Sequence, residues 1–362
     1  MKKRILVLSN SSSGLYGFRR EILTKLCQCH AVTVSAPDNG FFPELRSIGC
    51  RMAKTHIDRR GINPVTDLKL FLCYRRMLRK VTPDLVVTYT IKPNIYGGIA
   101  CRLAGIPYAA NITGLGTAFQ KQGMLRKLVV TMYKLALKKA KVVFFENCEN
   151  LETLVAENIV RREQCKLLNG AGVNLEHYSP APYPTEASPV RFLFMGRVMA
   201  EKGVNELFQA MRRLRADGID CTLDVLGNYE EHYEAAIRSG KAEGWLRYHG
   251  YQKDVRPFIE KCHCFVLPSW HEGMANTNLE CAAMARPVIT SRIHGCMEAV
   301  IEGKSGFLCK VKNTDSLYGA MRSFCELSTE QKKQMGLAGR KRMEDVFDKK
   351  LVVAETLKGL GL

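Results

Sequence analysis

No apolar run in the chain reaches eighteen residues, so no membrane-spanning helix is expected. The basic start, MKKR, is followed by an apolar run from Ile5 to Leu8 only, too short for a signal peptide. The 14 cysteines include no Cys-x-x-Cys and sit in apolar runs such as KCHCFVLPS. They read as small core residues of a reducing, cytoplasmic compartment. Cys262 and Cys264 would share one face of a strand with His263 on the other, and no second cluster completes four ligands, which excludes a zinc site. Asp-x-Asp is absent throughout, so no metal-bridged diphosphate is expected. The first strand-to-helix turn, SNSSSGLYGFRREI, offers only Gly14 and Gly17, which excludes a nicotinamide or flavin site and leaves no cofactor expected.

Acidic residues are scarce in one half only. Residues 1–180 hold 28 Lys and Arg against 12 Asp and Glu, whereas 181–362 hold 26 against 23, within a net charge of +19. No basic–aromatic RNA motif or helix-turn-helix pattern accompanies that charge, so nucleic acid is not the expected partner. An anionic membrane surface is, because basic residues near a bilayer contribute about 1 kcal/mol each. DLKLFLCYRRMLRKV (67–81) and MLRKLVVTMYKLALKKAKVV (124–143) mix large apolar side chains with Arg and Lys at helical spacing, as interfacial helices do.

With 362 residues, 46% of them hydrophobic, the chain can bury two cores. RILVLS (4–9), AVTVSA (31–36), DLVVTY (84–89), YAANIT (108–113) and KVVFFE (141–146) alternate with helical stretches, the pattern of parallel βαβ units. Thr90, Lys92 and Asn94 follow one strand end, and Thr113 and Gly114 follow the next, so both groups are expected at a crevice on the sheet's carboxyl edge. Ordinary turn chemistry accounts for Lys92 equally well, whereas the crevice is the better account of Thr113 and Gly114.

The second half centres on FVLPSWHEGMANTNLECAAMARPVITSRIHG (265–295). A strand stops at Pro268, and a helix begins near Asn276, carrying Leu279, Ala282, Ala283 and Arg286 at helical spacing. The loop between them holds Glu272 and Gly273, and Glu280 follows eight residues after the first glutamate. Backbone N–H groups of Gly273, Met274, Ala275 and Asn276 then lie where a helix start attracts anions. Upstream, VRFLFMGRVMAEKGVNELFQAM (190–211) ends a strand at Gly196 and places Arg197 and Lys202 at a helix start. Two cations suit a diphosphate, while two carboxylates suit hydroxyl groups on either side of it, which together describe a sugar nucleotide.

The Glu-x7-Glu spacing, preceded in register by GRVMAEKG, resembles the signature of the retaining family-four glycosyltransferases of GT-B fold. That resemblance implies an α/β protein of two Rossmann-like domains facing across a cleft: an acceptor domain at 1–180, a nucleotide-sugar domain at 181–345, and a helix at 346–362 returning to the first. LLNGAGVNLEHYSP (167–180) resembles the turn before the interdomain linker, here APYPTEASP (181–189). The implied roles place Glu272, Arg197 and Lys202 in catalysis, Glu280 on the ribose, and Tyr251 of LRYHGY beside the base. The histidine that many family members carry near the second crevice loop is replaced by Thr113. YTIKPNIYGG and NITGLGTAF resemble the subgroup that adds hexosamines or uronic acids to polyprenyl-diphosphate-linked saccharides in capsule and O-antigen assembly. The expected protein is thus a metal-independent transferase moving a sugar, first of all a HexNAc, from UDP to a lipid-linked acceptor. It would work on the inner membrane face, by front-face substitution since no carboxylate is plainly placed as nucleophile. A UDP-sugar 2-epimerase of the same architecture is the alternative, and a non-catalytic carbohydrate- or membrane-binding protein a third.

Overall fold

The computed structural model describes residues 1–58, 61, 63–116, 119, 123–185 and 189–362. The chain forms two units: residues 1–171 with 350–362, and residues 172–349.

The first unit is built on strands β1 (Arg4–Leu8), β2 (Ala31–Ala36), β3 (Arg51–Lys54), β4 (Leu85–Tyr89), β5 (Tyr108–Ile112), β6 (Val142–Phe145) and β7 (Cys165–Leu167). They pair in parallel in the order β3-β2-β1-β4-β5-β6-β7. β1 and β4 are buried nearly throughout because helices cover both faces, which is why they read as continuous apolar runs. Helix Ser12–Cys29 starts where Ser11 accepts from the Gly14 N–H, and its Leu15, Ile22, Leu23 and Leu26 pack on one face of the sheet. Helices Pro64–Val81 and Met124–Leu137 cover the other face through Leu70, Tyr74, Leu78, Val130, Tyr133 and Leu137. The C-terminal helix, Lys349–Leu360, closes the first face: Val352 and Leu360 pack into the cluster of Phe144 and Leu168. Lys141 Nζ donates to the Leu360 carbonyl at 2.9 Å, and Lys166 pairs with Glu355 at 2.9 Å.

The second unit repeats the plan with β8 (Val190–Met195), β9 (Cys221–Leu226), β10 (Leu246–Gly250), β11 (Cys264–Leu267), β12 (Val288–Ser291) and β13 (Gly306–Cys309). Their parallel order is β10-β9-β8-β11-β12-β13. Phe192, Phe194, Phe265 and Val266 are fully buried at its centre, each burial being worth about 1.5–3 kcal/mol. The two sheets have the strand order of doubly wound Rossmann-like folds, which reverses between β1 and β4 in the first unit and between β8 and β11 in the second.

One local expectation needs correction. Helix Asn276–Ala283 ends before Arg286, because Ala285 takes a left-handed turn (φ 59°), and the Arg286 side chain is fully buried rather than part of a helical stripe. Its guanidinium donates to the carbonyls of Ala181, Pro182, Ile259, Glu260, Met284 and Ala285. The start of the expected linker is therefore fastened to the second unit; residues 186–188 of that linker lie outside the described residues.

Candidate active site

In an open α/β sheet, ligands bind outside the carboxyl ends of the strands where the order reverses. In the second unit that point is flanked by the loops after β8 and β11, which carry Gly196, Arg197 and Lys202 on one side and Glu272 to Asn276 on the other. A short 3-10 turn, Ala200–Lys202, is stopped by Gly203 in a left-handed conformation (φ +70°). A Cβ on Gly203 would lie 2.1 Å from the Pro268 carbonyl oxygen, so only glycine lets the two loops close on each other. The closure brings Lys202 Nζ onto Glu272 Oε1 as an ion pair. Ser269 Oγ donates to the same oxygen at 2.7 Å. Both side chains of the pair are only 16% and 14% exposed, so solvent screens the attraction far less than at an open surface. Arg197 is half exposed, with Nη1 3.8 Å from Glu230 Oε1.

The loop after β12 braces this arrangement. Gly295 accepts from the Ala275 N–H at 2.7 Å, while its own N–H donates to Glu298 Oε2 at 2.7 Å. Met274 and Ala275 have buried side chains, and the N–H groups of Ala275 and Asn276, expected to face an anion, are instead taken by the carbonyls of Gly295 at 2.7 Å and Met274 at 3.0 Å. Among the described residues of this unit, no three His, Cys, Asp or Glu side chains converge on one point.

Glu280 sits one turn into that helix. Enclosure of its carboxyl pushes the pKa up to about 7, against the pull of the Tyr178 hydroxyl and the Lys349 charge. Sequence reasoning missed Tyr178, which lies 102 positions away in HYSP. The strap bearing it is held by Arg340, whose Nη1 donates to the carbonyls of Tyr178 at 2.9 Å and Ala283 at 2.9 Å. Tyr251 follows β10 as an exposed side chain. Tyr229 and Tyr248 stack with centroids 4.8 Å apart, an aromatic platform that the alternation of short strands did not disclose.

In the first unit the loops after β4 and β5 do meet: a Cβ on Gly116 would lie 2.7 Å from Ile91 Cδ1. Thr90 has a left-handed backbone (φ 73°), a strained state for a non-glycine residue. Thr113 and Gly114 follow β5 half-buried. Asn94 differs from its expected place. It is buried, accepting from Thr88 Oγ1 at 2.6 Å and donating to the Asn111 carbonyl at 2.9 Å, so it ties β4 to β5 instead of lining a crevice. Lys92 pairs with Asp67 Oδ1 at 2.6 Å, and Tyr96 donates to Asp67 Oδ2 at 2.8 Å, which pins the first turn of helix Pro64–Val81 to the end of β4. That helix leaves Val65, Leu68 and Leu72 exposed ahead of Arg75, Arg76, Arg79 and Lys80, and helix Met124–Leu137 leaves Met124, Leu125, Leu128 and Leu135 exposed. No helix of the described residues is long and apolar enough to cross a membrane.

Comparison with known proteins places these features among sugar transferases. Residues 189–326 match the family described as glycosyl transferases group 1, and residues 4–147 match the glycosyl transferase 4-like family. The N,N'-diacetylbacillosaminyl-diphospho-undecaprenol alpha-1,3-N-acetylgalactosaminyltransferase of Campylobacter jejuni is 26% identical over 98% of this chain and 97% of its own. The UDP-Gal:alpha-D-GlcNAc-diphosphoundecaprenol alpha-1,3-galactosyltransferase of Escherichia coli is 27% identical over 72% of this chain and 71% of its own. Among solved structures, Anabaena HepE in complex with UDP and glucose superposes with a TM-score of 0.81 at 16% identity, covering 99% of both chains, which establishes a shared fold.

Proposed function

The chain belongs to the group 1 glycosyltransferases of GT-B fold, and from that premise we propose that it transfers a sugar, an N-acetylhexosamine first of all, from its UDP conjugate to a polyprenyl-diphosphate-linked saccharide. The observation that carries this reading is the Lys202–Glu272 pair at the point of strand reversal in the second sheet. A cation and a carboxylate held together there can divide the donor between them. Lys202, with Arg197, faces the diphosphate as negative charge develops on it, and Glu272 accepts from hydroxyl groups of the departing sugar. Two side-chain cations supply that neutralisation without a metal, consistent with a sequence free of Asp-x-Asp. Glu280 accepts from the ribose, which does not react, so it contributes binding rather than rate. The sugar retains its anomeric configuration because the acceptor enters on the face the phosphate leaves.

The acceptor is held by the first unit, whose net charge suits a lipid diphosphate. Exposed leucines and arginines of helices Pro64–Val81 and Met124–Leu137 rest on the inner face of an anionic membrane. The epimerase alternative draws no support from the relatives, which are transferases.

Incubating the purified protein with UDP-N-acetylhexosamine, with and without a polyprenyl-diphosphate saccharide, tests the reading. Acceptor-dependent release of UDP and a lengthened glycolipid are expected. An epimerised nucleotide sugar without acceptor, or no turnover with any UDP-sugar, would overturn it.

A further inference from the structure

The loops carrying Lys202 and Glu272 are joined a second time, through Trp270. Its backbone N–H donates to the Glu201 carbonyl at 2.9 Å, and its indole Nε1–H donates to Glu206 Oε1 at 3.1 Å. Glu201 immediately precedes Lys202, and Glu206 lies in the first turn of helix Val204–Ala216, so the two anchors bracket Lys202. Trp270 itself stands two residues before Glu272. A third loop reaches the same ring: Lys312 Nζ lies 4.3 Å from its centroid, and Lys312 holds a left-handed backbone (φ 53°) that costs about 1–2 kcal/mol in a non-glycine residue. The neighbouring His271 adds Nε2 at 3.4 Å from Glu201 Oε2.

Core packing does not account for this indole. The other tryptophan, Trp245, is 1% exposed and belongs to the hydrophobic cluster of the second unit, whereas Trp270 is half-buried and stands outside that cluster. A large aromatic residue has been placed in a polar loop and given a specific partner on each neighbouring segment.

We propose that Trp270 is a positioning residue for sugar transfer, fixing the loop of Lys202 against the loop of Glu272 so that the cation faces the diphosphate while the carboxylate faces the sugar. The ion pair by itself fixes only the separation of the two loop tips. The indole bond to Glu206 fixes the rotation of one loop about the other, because Glu206 belongs to a helix seated in the core. Misplacement of catalytic groups by a fraction of an ångström costs turnover more than ground-state binding. The inference rests on the transferase reading above, and the experiment separates the two.

Trp270→Phe keeps an aromatic ring and the backbone N–H and deletes the indole donor with its five-membered ring; Glu206→Ala deletes the acceptor; Glu206→Gln keeps an acceptor. Trp270→Phe and Glu206→Ala are each expected to lower kcat about tenfold, the worth of one hydrogen bond to a charged group, with KM for the UDP-sugar changed less than about twofold. The double variant should be no slower than either single one, because both remove the same bond. Glu206→Gln should restore kcat, which loss of the carboxylate charge alone would not predict. Unchanged kcat in both single variants, or fully additive losses in the double variant, overturns the proposal. If Lys202→Ala lowers turnover about a hundredfold while Trp270→Phe leaves kcat unchanged, this inference alone falls; if Lys202→Ala keeps full turnover, the transferase assignment of the site falls with it.

Discussion

Replacing Glu280 with glutamine should make the second unit more stable above neutral pH and leave it nearly unchanged in acid. The Glu280 carboxyl titrates near 4.5 when exposed and near 7 in the folded protein, chiefly because burial disfavours its charge. Between those values the native state holds a proton that the unfolded chain has released, so stability falls as pH rises through that window and then levels off. A difference of about 2.5 units at about 1.4 kcal/mol each makes the penalty about 3 kcal/mol above pH 7. Glu280→Gln removes the charge, keeps the shape, and still offers Tyr178 an acceptor. The gain should therefore approach about 3 kcal/mol at pH 8 and fall below about 1 kcal/mol at pH 5. Denaturant unfolding followed by tryptophan emission measures it cleanly, since both tryptophans, Trp245 and Trp270, lie in the second unit. UDP affinity should fall about tenfold in the same variant, a stability gained at the expense of binding. Equal stability increments at pH 5 and pH 8 would refute the reasoning, because they would show that the carboxyl is not charged against its surroundings.

Lys202→Ala and Arg197→Ala should each lower turnover about a hundredfold with little change in folding, as measured by single-turnover kinetics and circular dichroism. Arg286→Met should destabilise the second unit by about 3–5 kcal/mol in denaturant titration, because six carbonyls lose a buried cationic donor. Neutralising Arg75, Arg76, Arg79 and Lys80, or changing Leu68, Leu72, Leu125 and Leu128 to serine, should weaken sedimentation with anionic vesicles and leave UDP binding intact. Vesicle binding indifferent to salt and to both sets of changes would remove the membrane contact.

The strands were legible because both sheets are covered on two faces, so β1, β4, β8 and β11 are written as largely apolar runs, β8 ended by Gly196 and β11 by Pro268. The edge strands β3 (RMAK) and β7 (CKL) were not, since half-exposed edges carry no such run. Glu272 and Lys202 could be read as partners in one site because a motif places each beside a helix start; their direct pairing could not, since it depends on the close approach at Gly203. Asn94 was misread because a buried asparagine that joins two strands looks in sequence like a polar residue after a strand. Tyr178 and Trp270 went unseen for a shared reason: each acts through a hydrogen bond to a residue 64 or more positions away, a separation that carries no local periodicity.

The return of the last helix to the first unit fixes an order of assembly on the ribosome. β1 to β7 emerge first, yet Phe144 and Leu168 keep one face uncovered until Val352 and Leu360 have been made. Residues 172–349 form one uninterrupted segment and can bury their core as soon as they are complete. At about 5–20 residues per second, that segment takes roughly 10–35 s to synthesise. For that interval the patch around Phe144 and Leu168 waits without the helix that covers it, so the half of the enzyme translated first is the half finished last, and a chain released before residue 350 presents a chaperone with that patch.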